Sequence, residues 1–331
     1  MRSERLRGYG LVLVAAGLWA TLGLFYQLLV AYGLPPLTIV FFRAAIAALT
    51  LFLVMAWRRH GRGAVTAPLR RDCPPALRPI LSSLSTIKSV GAVTAPLRRD
   101  WPLFVAFGLF GVAAFYVVYI HAIDLVGMGV AAVLMYTAPA WVTLFGALFL
   151  GEHLNWLKGG ALLLSCAGCA LVSRAYDLAG VRLNLLGILA GLGAGLTYGL
   201  YTLFSKVAQR RHTAWTTLAY ALGIGALFML PLQSPAALAR ALTTPPLIFW
   251  LLMLGLVPTL GGGLAFNAGL RWMPASDASI VATLEPAIAT LLGWAFLGEH
   301  LERPQLLGAG LILAAVVILQ RENGGFQDRN G

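Results

Sequence analysis

The sixteen residues PAWVTLFGALFLGEHL at Pro139–Leu154 return almost unchanged as PAIATLLGWAFLGEHL at Pro286–Leu301. Eleven of the sixteen positions are identical at an offset of 147 residues. Self-similarity at a fixed spacing is typical of a duplicated chain. The sequence therefore predicts two related halves, which we place at residues 9–174 and 183–320.

The composition around this repeat indicates a chain whose solvent is lipid. Of 331 residues, 59% are apolar and 11% are charged, whereas a soluble domain carries roughly 25% charged residues. Long apolar runs without polar alternation favour membrane helices over a barrel. The net charge of +12 would suggest nucleic acid if the basic residues formed one patch among stacking aromatics. They flank the apolar runs instead, so we expect no nucleic-acid partner.

Apolar runs long enough to cross a bilayer occur ten times, since a spanning helix needs about 20 residues. The predicted spans are 9–31, 36–57, 101–123, 127–150, 156–174, 183–205, 213–232, 246–269, 276–298 and 304–320. The fifth and tenth are short, and we expect Lys158 and Arg174 to reach outward from the ends of the fifth. The predicted fold class is all-α, a polytopic membrane protein with ten transmembrane helices.

The distribution of lysine and arginine between the loops predicts the orientation. Nineteen of these residues fall on the side of the N-terminus and four on the other side. Because basic loops stay in the cytoplasm, we expect a multi-pass protein of the cytoplasmic (inner) membrane with both termini inside. Each half has five spans, an odd number, so the second half is inverted relative to the first. Inverted repeats are typical of secondary transporters, whose substrate sites lie near the midplane.

One loop of the first half carries an insertion. The segment GAVTAPLRRD occurs at Gly63–Asp72 and again at Gly91–Asp100, and removing residues 73–100 leaves one copy. The second half has no counterpart. We interpret residues 73–100 as a recent, poorly ordered insertion in a cytoplasmic loop; a functional lid is the alternative.

Two charged residues lie deep inside apolar runs, where a charge costs roughly 2.5 to 3.5 kcal/mol and points to function. With a rise of 1.5 Å per residue, Arg43 lies about 10 Å below the outer face and Glu285 about 14 Å above the inner face. Their depths differ by only about 6 Å in a core of about 30 Å. The pair is either part of a transport site, with Glu285 binding a proton, or a structural ion pair between the halves.

Prolines and aromatic residues occur at similar depths. Pro139 and Pro286 each remove a helical hydrogen bond near mid-membrane, which indicates either a substrate site or a kink used for packing. The aromatic candidates for a cavity lining are Trp19, Tyr116, Tyr136 and Tyr198. We interpret Tyr119 and Tyr201 as interfacial belt residues. We interpret Asn267 and His121 as loop anchors, with a polar lining of the cavity as the alternative. Glycines at 187, 191, 195 and 199 predict one closely packed face on the sixth span.

These motifs together resemble the EamA-type drug/metabolite transporter superfamily. The similarity covers residues 9 to 320 apart from the insertion, and it rests on the prolines of the fourth and ninth spans and the motifs after them. The matching words are Gly151-Glu152, Gly298-Glu299, Glu285-Pro286, Trp19 and Phe42-Arg43. The resemblance implies a cytoplasmic-membrane carrier, often an exporter of amino acids or related metabolites.

The leading hypothesis is therefore a secondary, alternating-access efflux transporter of small organic metabolites, with protons as a second partner. A passive channel or a membrane scaffold is the alternative, and a homodimer stays open. An intramembrane enzyme is remote, because Asp124 and Asp277 lie at span ends and leave Glu285 alone. The sequence contains no phosphate-binding GxxxxGK[ST] loop, which argues against a primary pump. We expect no cofactor or metal, and we interpret Cys166 and Cys169 as packing residues.

Overall fold

The computed structural model describes residues 2–65, 98–176, 184–298 and 300–325, and within these ranges the regular structure is helical with no strand. Among these described residues, nine helices are long and apolar enough to cross a membrane, and one further apolar helix, Trp156–Val172, is shorter. The described chain is thus an all-α polytopic membrane protein, as the sequence predicts.

The ten spans follow each other in the predicted order. They are span 1 (Glu4–Ala31), span 2 (Pro36–Arg58), span 3 (Arg98–Val126), span 4 (Met128–Leu150), span 5 (Trp156–Val172), span 6 (Leu185–Ala208), span 7 (Ala214–Leu232), span 8 (Pro245–Leu270), span 9 (Ala275–Phe296) and span 10 (Arg303–Gln320). Span 5 is short, with 17 residues. Span 10 is short as well, with 18 residues, although its helix continues beyond the span to Gly325. A short helix, Pro235–Thr243, connects spans 7 and 8.

Five spans are interrupted, and four of the interruptions match between the halves. Span 1 is interrupted at Thr21, between Arg2–Ala20 and Leu22–Ala31. Span 4 consists of Met128–Met135 and Ala138–Leu150, and span 9 of Ala275–Ala282 and Leu284–Leu297. Spans 3 and 8 contain the π-helical segments Phe107–Ala114 and Gly255–Gly262. Each break in spans 4 and 9 comes just before the repeated proline, whose missing N–H weakens the helix there.

Contacts between helices also occur at equivalent positions of the two halves. A Cβ at Gly108 would lie 2.6 Å from Ile224 Cγ2, and a Cβ at Gly255 would lie 2.7 Å from Ile46 Cγ2. The repeated Gly-Glu motif ends the helices of spans 4 and 9 in the same way. Gly151 and Gly298 adopt left-handed φ values of 71° and 68°, a conformation that glycine takes without strain. These pairs support the two-half inverted arrangement, which stays a prediction. Glu299 lies outside the described residues.

The glycine face of span 6 is confirmed. Added Cβ atoms at its four glycines would lie 2.5 to 3.2 Å from atoms of spans 3 and 4: Val126 for Gly187, Leu134 for Gly191, Thr137 for Gly195 and Trp141 for Gly199. Spans 4 and 6 therefore pack backbone to backbone, which fixes the wall of the molecule that carries Tyr136 and Tyr198.

Most of the insertion, residues 73–97, lies outside the described residues. Its last three residues, Arg98–Asp100, form a 3₁₀ turn. Asp100 is buried and accepts a hydrogen bond of 2.8 Å from Arg211, and its carboxylate lies 3.1 Å from His212 Nε2. The expectation of a poorly ordered segment is therefore wrong for this end, because Asp100 fastens span 3 to the start of span 7.

Candidate functional site

A cavity of about 280 Å³ lies at the centre of the bundle. Six of the eight candidates line it: Trp19, Arg43, Tyr116, Tyr136, Tyr198 and Glu285. Pro139 lines an adjoining pocket of about 10 Å³ together with Tyr136 and Tyr198. Pro286 lines neither of these two spaces. It lies directly after Glu285, in the first turn of the helix Leu284–Leu297. The cavity has the size of a single small metabolite, at the lower end of ligand sites.

Arg43 is held in one orientation by span 8. Its Nε donates a hydrogen bond of 3.1 Å to Thr259 Oγ1, and its Cζ lies 5.1 Å from the ring centre of Tyr116. Thr259 Oγ1 donates in turn to the carbonyl of Leu254, at 2.8 Å, within the π-helical segment. The widened turn of span 8 therefore positions the acceptor that orients Arg43, and the guanidinium faces the cavity.

Glu285 also lines the cavity, in the first turn of the helix Leu284–Leu297 and directly after the break at Thr283. A helix N-terminus favours a carboxylate. No N–O distance of 4.0 Å or less joins Glu285 to Arg43, so the direct ion pair that was one alternative does not form between these two described residues. The cavity thus presents one cation and one carboxylate with a gap between them.

Aromatic rings form much of the remaining wall. Phe115 stacks on Tyr198 at 5.2 Å, and Trp19 packs against Phe266 at 5.1 Å. The interfacial interpretation of Tyr119 and Tyr201 is wrong, because both line the cavity. Distance along a span gives depth but not the face on which a ring lies, and that is why the sequence misplaced them.

Asn267 is also not a loop anchor. It is fully buried, accepts a hydrogen bond of 3.0 Å from Gln209 and donates to the Tyr201 hydroxyl at 3.2 Å. His121 is exposed, with Nδ1 2.8 Å from the carbonyl of Val117. Asn267 therefore supports the cavity wall from behind, whereas His121 takes no part in it.

The described residues that line the cavity extend towards one end of the bundle. Tyr26, Ile123 and Met128 line it towards the predicted outer end. On the predicted cytoplasmic side, the half-helix Ala275–Ala282 has all of its residues buried, and none of them lines the cavity. Among the described residues, the lining of the cavity thus extends towards the predicted outer side of the membrane and not towards the cytoplasmic side.

A polar cluster that the sequence did not predict holds this half-helix. Glu152 accepts hydrogen bonds from the backbone N–H groups of Ala275 (2.5 Å) and Ser276 (3.1 Å). Lys158 lies 3.1 Å from Asp277 and donates to Ser276 Oγ at 3.1 Å. The expectation that Lys158 reaches outward is wrong: it is 6% exposed, because an acidic partner in the other half neutralises it.

Arg174, at the other end of span 5, does reach outward as predicted. It is half-exposed and pairs with Glu302 at 2.9 Å. Among the described residues, no group of three or more His, Cys, Asp and Glu side chains could hold a metal ion. Cys166 and Cys169 carry free thiols.

Comparison with known proteins gives one family. The sequence profile of the EamA-like transporter family matches residues 76–174 and 185–321, one match in each predicted half. An uncharacterized transporter of Archaeoglobus fulgidus is 33% identical over 204 residues, which are 62% of this chain and 71% of that protein. A probable terminal-alkyne amino-acid exporter of Streptantibioticus cattleyicolor is 26% identical over 226 residues, 68% and 74% of the two chains. A solved crystal structure superposes with a TM-score of 0.68 at 20% identity, covering 97% and 98% of the chains, which supports the fold.

Proposed function

This chain belongs to the EamA-like transporter family, and on that premise we propose that it exports amino acids or related small metabolites across the cytoplasmic membrane by alternating access. The substrate binds in the central cavity between the two halves. The relative described as an amino-acid exporter supports this class of cargo.

The observation that carries the proposal is the pair of opposite charges that share the cavity without contact. Arg43 is oriented by Thr259 at 3.1 Å, and Glu285 lines the same cavity from the N-terminus of a helix. An α-amino acid fits this arrangement, with its carboxylate on the guanidinium and its ammonium group near Glu285. The aromatic wall then receives an apolar side chain.

A transport screen with the purified protein in proteoliposomes tests the proposal. The panel contains amino acids with apolar side chains, the matching amines without a carboxylate, the matching acids without an amine, sugars and nucleotides. We expect flux of the amino acids above empty liposomes. Arg43→Gln should remove the preference for a carboxylate, and Glu285→Gln the preference for an amine. Arg303→Gln changes an exposed arginine at the start of span 10 and is the matched control.

Two results would contradict the proposal. One is the absence of flux for every amino acid in the panel. The other is flux whose substrate preference is the same in wild type, Arg43→Gln and Glu285→Gln, because the two charges would then have no part in recognition.

The coupling of transport to protons is a separate part of the proposal, and it depends on Glu285. If this carboxyl group takes up and releases a proton in each cycle, Glu285→Gln abolishes transport driven by a proton gradient and spares the exchange of substrate across the membrane. If the group serves stability alone, Glu285→Gln lowers the melting temperature in detergent instead, because the charge of Arg43 then shares the cavity with no carboxylate. Gradient-driven flux and melting, measured side by side, separate the two roles.

A further inference from the structure

The two half-helices that precede the breaks in spans 4 and 9 are equivalent in sequence but packed differently. Ala275–Ala282 has all eight residues buried. Met128–Met135 stands 147 positions earlier, yet of its residues only Ala131 and Met135 are buried. Met128 and Met135 line the cavity, whereas no residue of Ala275–Ala282 does. The half-helix Ala275–Ala282 therefore plugs one end of the cavity, and its counterpart Met128–Met135 leaves the other end open.

The plug is fastened by residues of the opposite half of the chain. Glu152, just after span 4, accepts three hydrogen bonds from Ala275 and Ser276, including one from the Ser276 hydroxyl. Lys158 in span 5 forms its ion pair with Asp277, and both side chains are more than nine-tenths buried. Asp277 also accepts a hydrogen bond of 3.4 Å from Tyr9 in span 1.

We infer that the half-helix Ala275–Ala282 is the cytoplasmic gate of the carrier, that it moves about the break at Thr283, and that Glu152 and Lys158 are the latch that holds it closed. This inference rests on the alternating access proposed above. About eight residues, or some 12 Å of helix, separate Asp277 from Glu285, so displacement of the gate connects the cavity with the cytoplasm.

The chemistry of the latch suits a seal that must open repeatedly. The attraction in a buried ion pair is largely offset by the cost of removing both charges from water, so opening the pair to water restores their hydration. An apolar seal of the same size would lose its burial energy on every opening. At the repeat-related positions towards the outer end, the chain has Gln305 and Val130 in place of Lys158 and Asp277. Gln305 and Val130 cannot form an ion pair with each other, so this part of the latch has no equivalent at the outer end, which favours the outward-open state of the empty carrier.

Cysteine labelling in membrane vesicles of known orientation tests the gate without any substrate. In a chain whose three native cysteines have been replaced, one reporter is Ser279→Cys on the gate. The other is Ala132→Cys, 147 positions earlier on the open half-helix. Ser279 is 7% exposed, so its thiol should resist a membrane-impermeant maleimide from both sides. The Ala132→Cys reporter should react from the outer side.

Breaking the latch should change both reporters in opposite directions. Lys158→Met leaves Asp277 buried without its cation, which destabilises the closed gate strongly. We expect labelling of Ser279→Cys from the cytoplasmic side to rise at least about tenfold, and labelling of Ala132→Cys from the outer side to fall. The double variant Lys158→Met with Asp277→Leu replaces the pair by an apolar contact, and its gate should label no faster than that of the wild type. Arg174→Met breaks a half-exposed ion pair at the other end and should change neither reporter.

The gate is refuted if Lys158→Met is folded and monodisperse but leaves both reporters unchanged, or if the double variant opens as far as the single one. Should Lys158→Met fail to fold, Glu152→Gln weakens the latch while keeping its size, and unchanged labelling of Ser279→Cys in that variant is equally decisive. Labelling that responds as expected, in a protein that moves no amino acid, overturns the proposed cargo and leaves the gate standing.

Discussion

The substitution Gly255→Ala should impair substrate recognition although residue 255 does not line the cavity. Gly255 lies where span 8 crosses span 2, and an added Cβ would be 2.7 Å from Ile46 Cγ2, about 0.7 Å short of the ordinary contact distance of 3.4 Å. Span 2 must therefore move away from span 8. Arg43 belongs to span 2, and its bond partner Thr259 belongs to span 8.

The size of the effect follows from that displacement. Adding 0.7 Å to the 3.1 Å between Arg43 Nε and Thr259 Oγ1 gives about 3.8 Å, which is too long for a hydrogen bond. A hydrogen bond to a charged group contributes about 1.5 to 3 kcal/mol, and about 1.4 kcal/mol corresponds to a tenfold change in affinity. We expect the KM for a carboxylate-bearing substrate to rise about tenfold, measured as concentration-dependent flux in proteoliposomes.

A double-mutant cycle shows whether the mechanism is right. Thr259→Val removes the same hydrogen bond directly, so the KM of Gly255→Ala combined with Thr259→Val should match that of Thr259→Val alone. Gly108→Ala creates a similar overlap at the repeat-related contact, 2.6 Å from Ile224, away from Arg43. It should lower stability without raising KM. Additive KM effects in the double variant, or an equal rise in Gly108→Ala, would refute the reasoning.

The remaining predictions concern the scaffold. An added Cβ at Gly308 would lie 2.6 Å from the carbonyl oxygen of Gly168, whereas one at Gly310 meets nothing within 4 Å. In detergent unfolding, Gly308→Ala should therefore be less stable than Gly310→Ala by about 1 to 3 kcal/mol. Equal stabilities of the two variants would contradict the contact. Deleting residues 73–100 should preserve membrane insertion and flux. Both copies of the GAVTAPLRRD segment end in Arg-Arg-Asp, so the chain joined at the deletion keeps its contacts with span 7. Loss of flux at normal expression would show that the loop takes part in transport. A periplasm-active reporter fused after Gln320 should stay silent, and a strong signal would overturn the predicted topology.

Much of the fold could be predicted because apolar runs and a repeated word survive in a single sequence. Arg43 and Glu285 could be found because a charge inside an apolar run is conspicuous. Lys158 and Asp277 could not, since charges at the ends of spans are ordinary and the partners are 119 positions apart in the chain.

The local helix geometry was predictable only in part. Prolines mark the breaks in spans 4 and 9, and Pro258 lies in the π-helical segment of span 8. The equivalent segment Phe107–Ala114 has no proline, so nothing local distinguishes it from a regular helix. Its geometry follows from packing against spans 6 and 7, at glycines 108 and 111, and a sequence read alone does not contain that contact.

Arg43 is the only lysine or arginine among the described residues that line the cavity, and this has a consequence for the driving force. A membrane potential of 100 mV acts on one full charge crossing the bilayer with about 2.3 kcal/mol. With the inside negative, it pushes an anion outward, but a zwitterion has no net charge on which it can act. The guanidinium of Arg43 could bind the carboxylate of an anion or of a zwitterion. The voltage dependence of export therefore reports the net charge moved in each cycle, which is the charge of the molecule bound at Arg43 together with that of any proton exchanged for it.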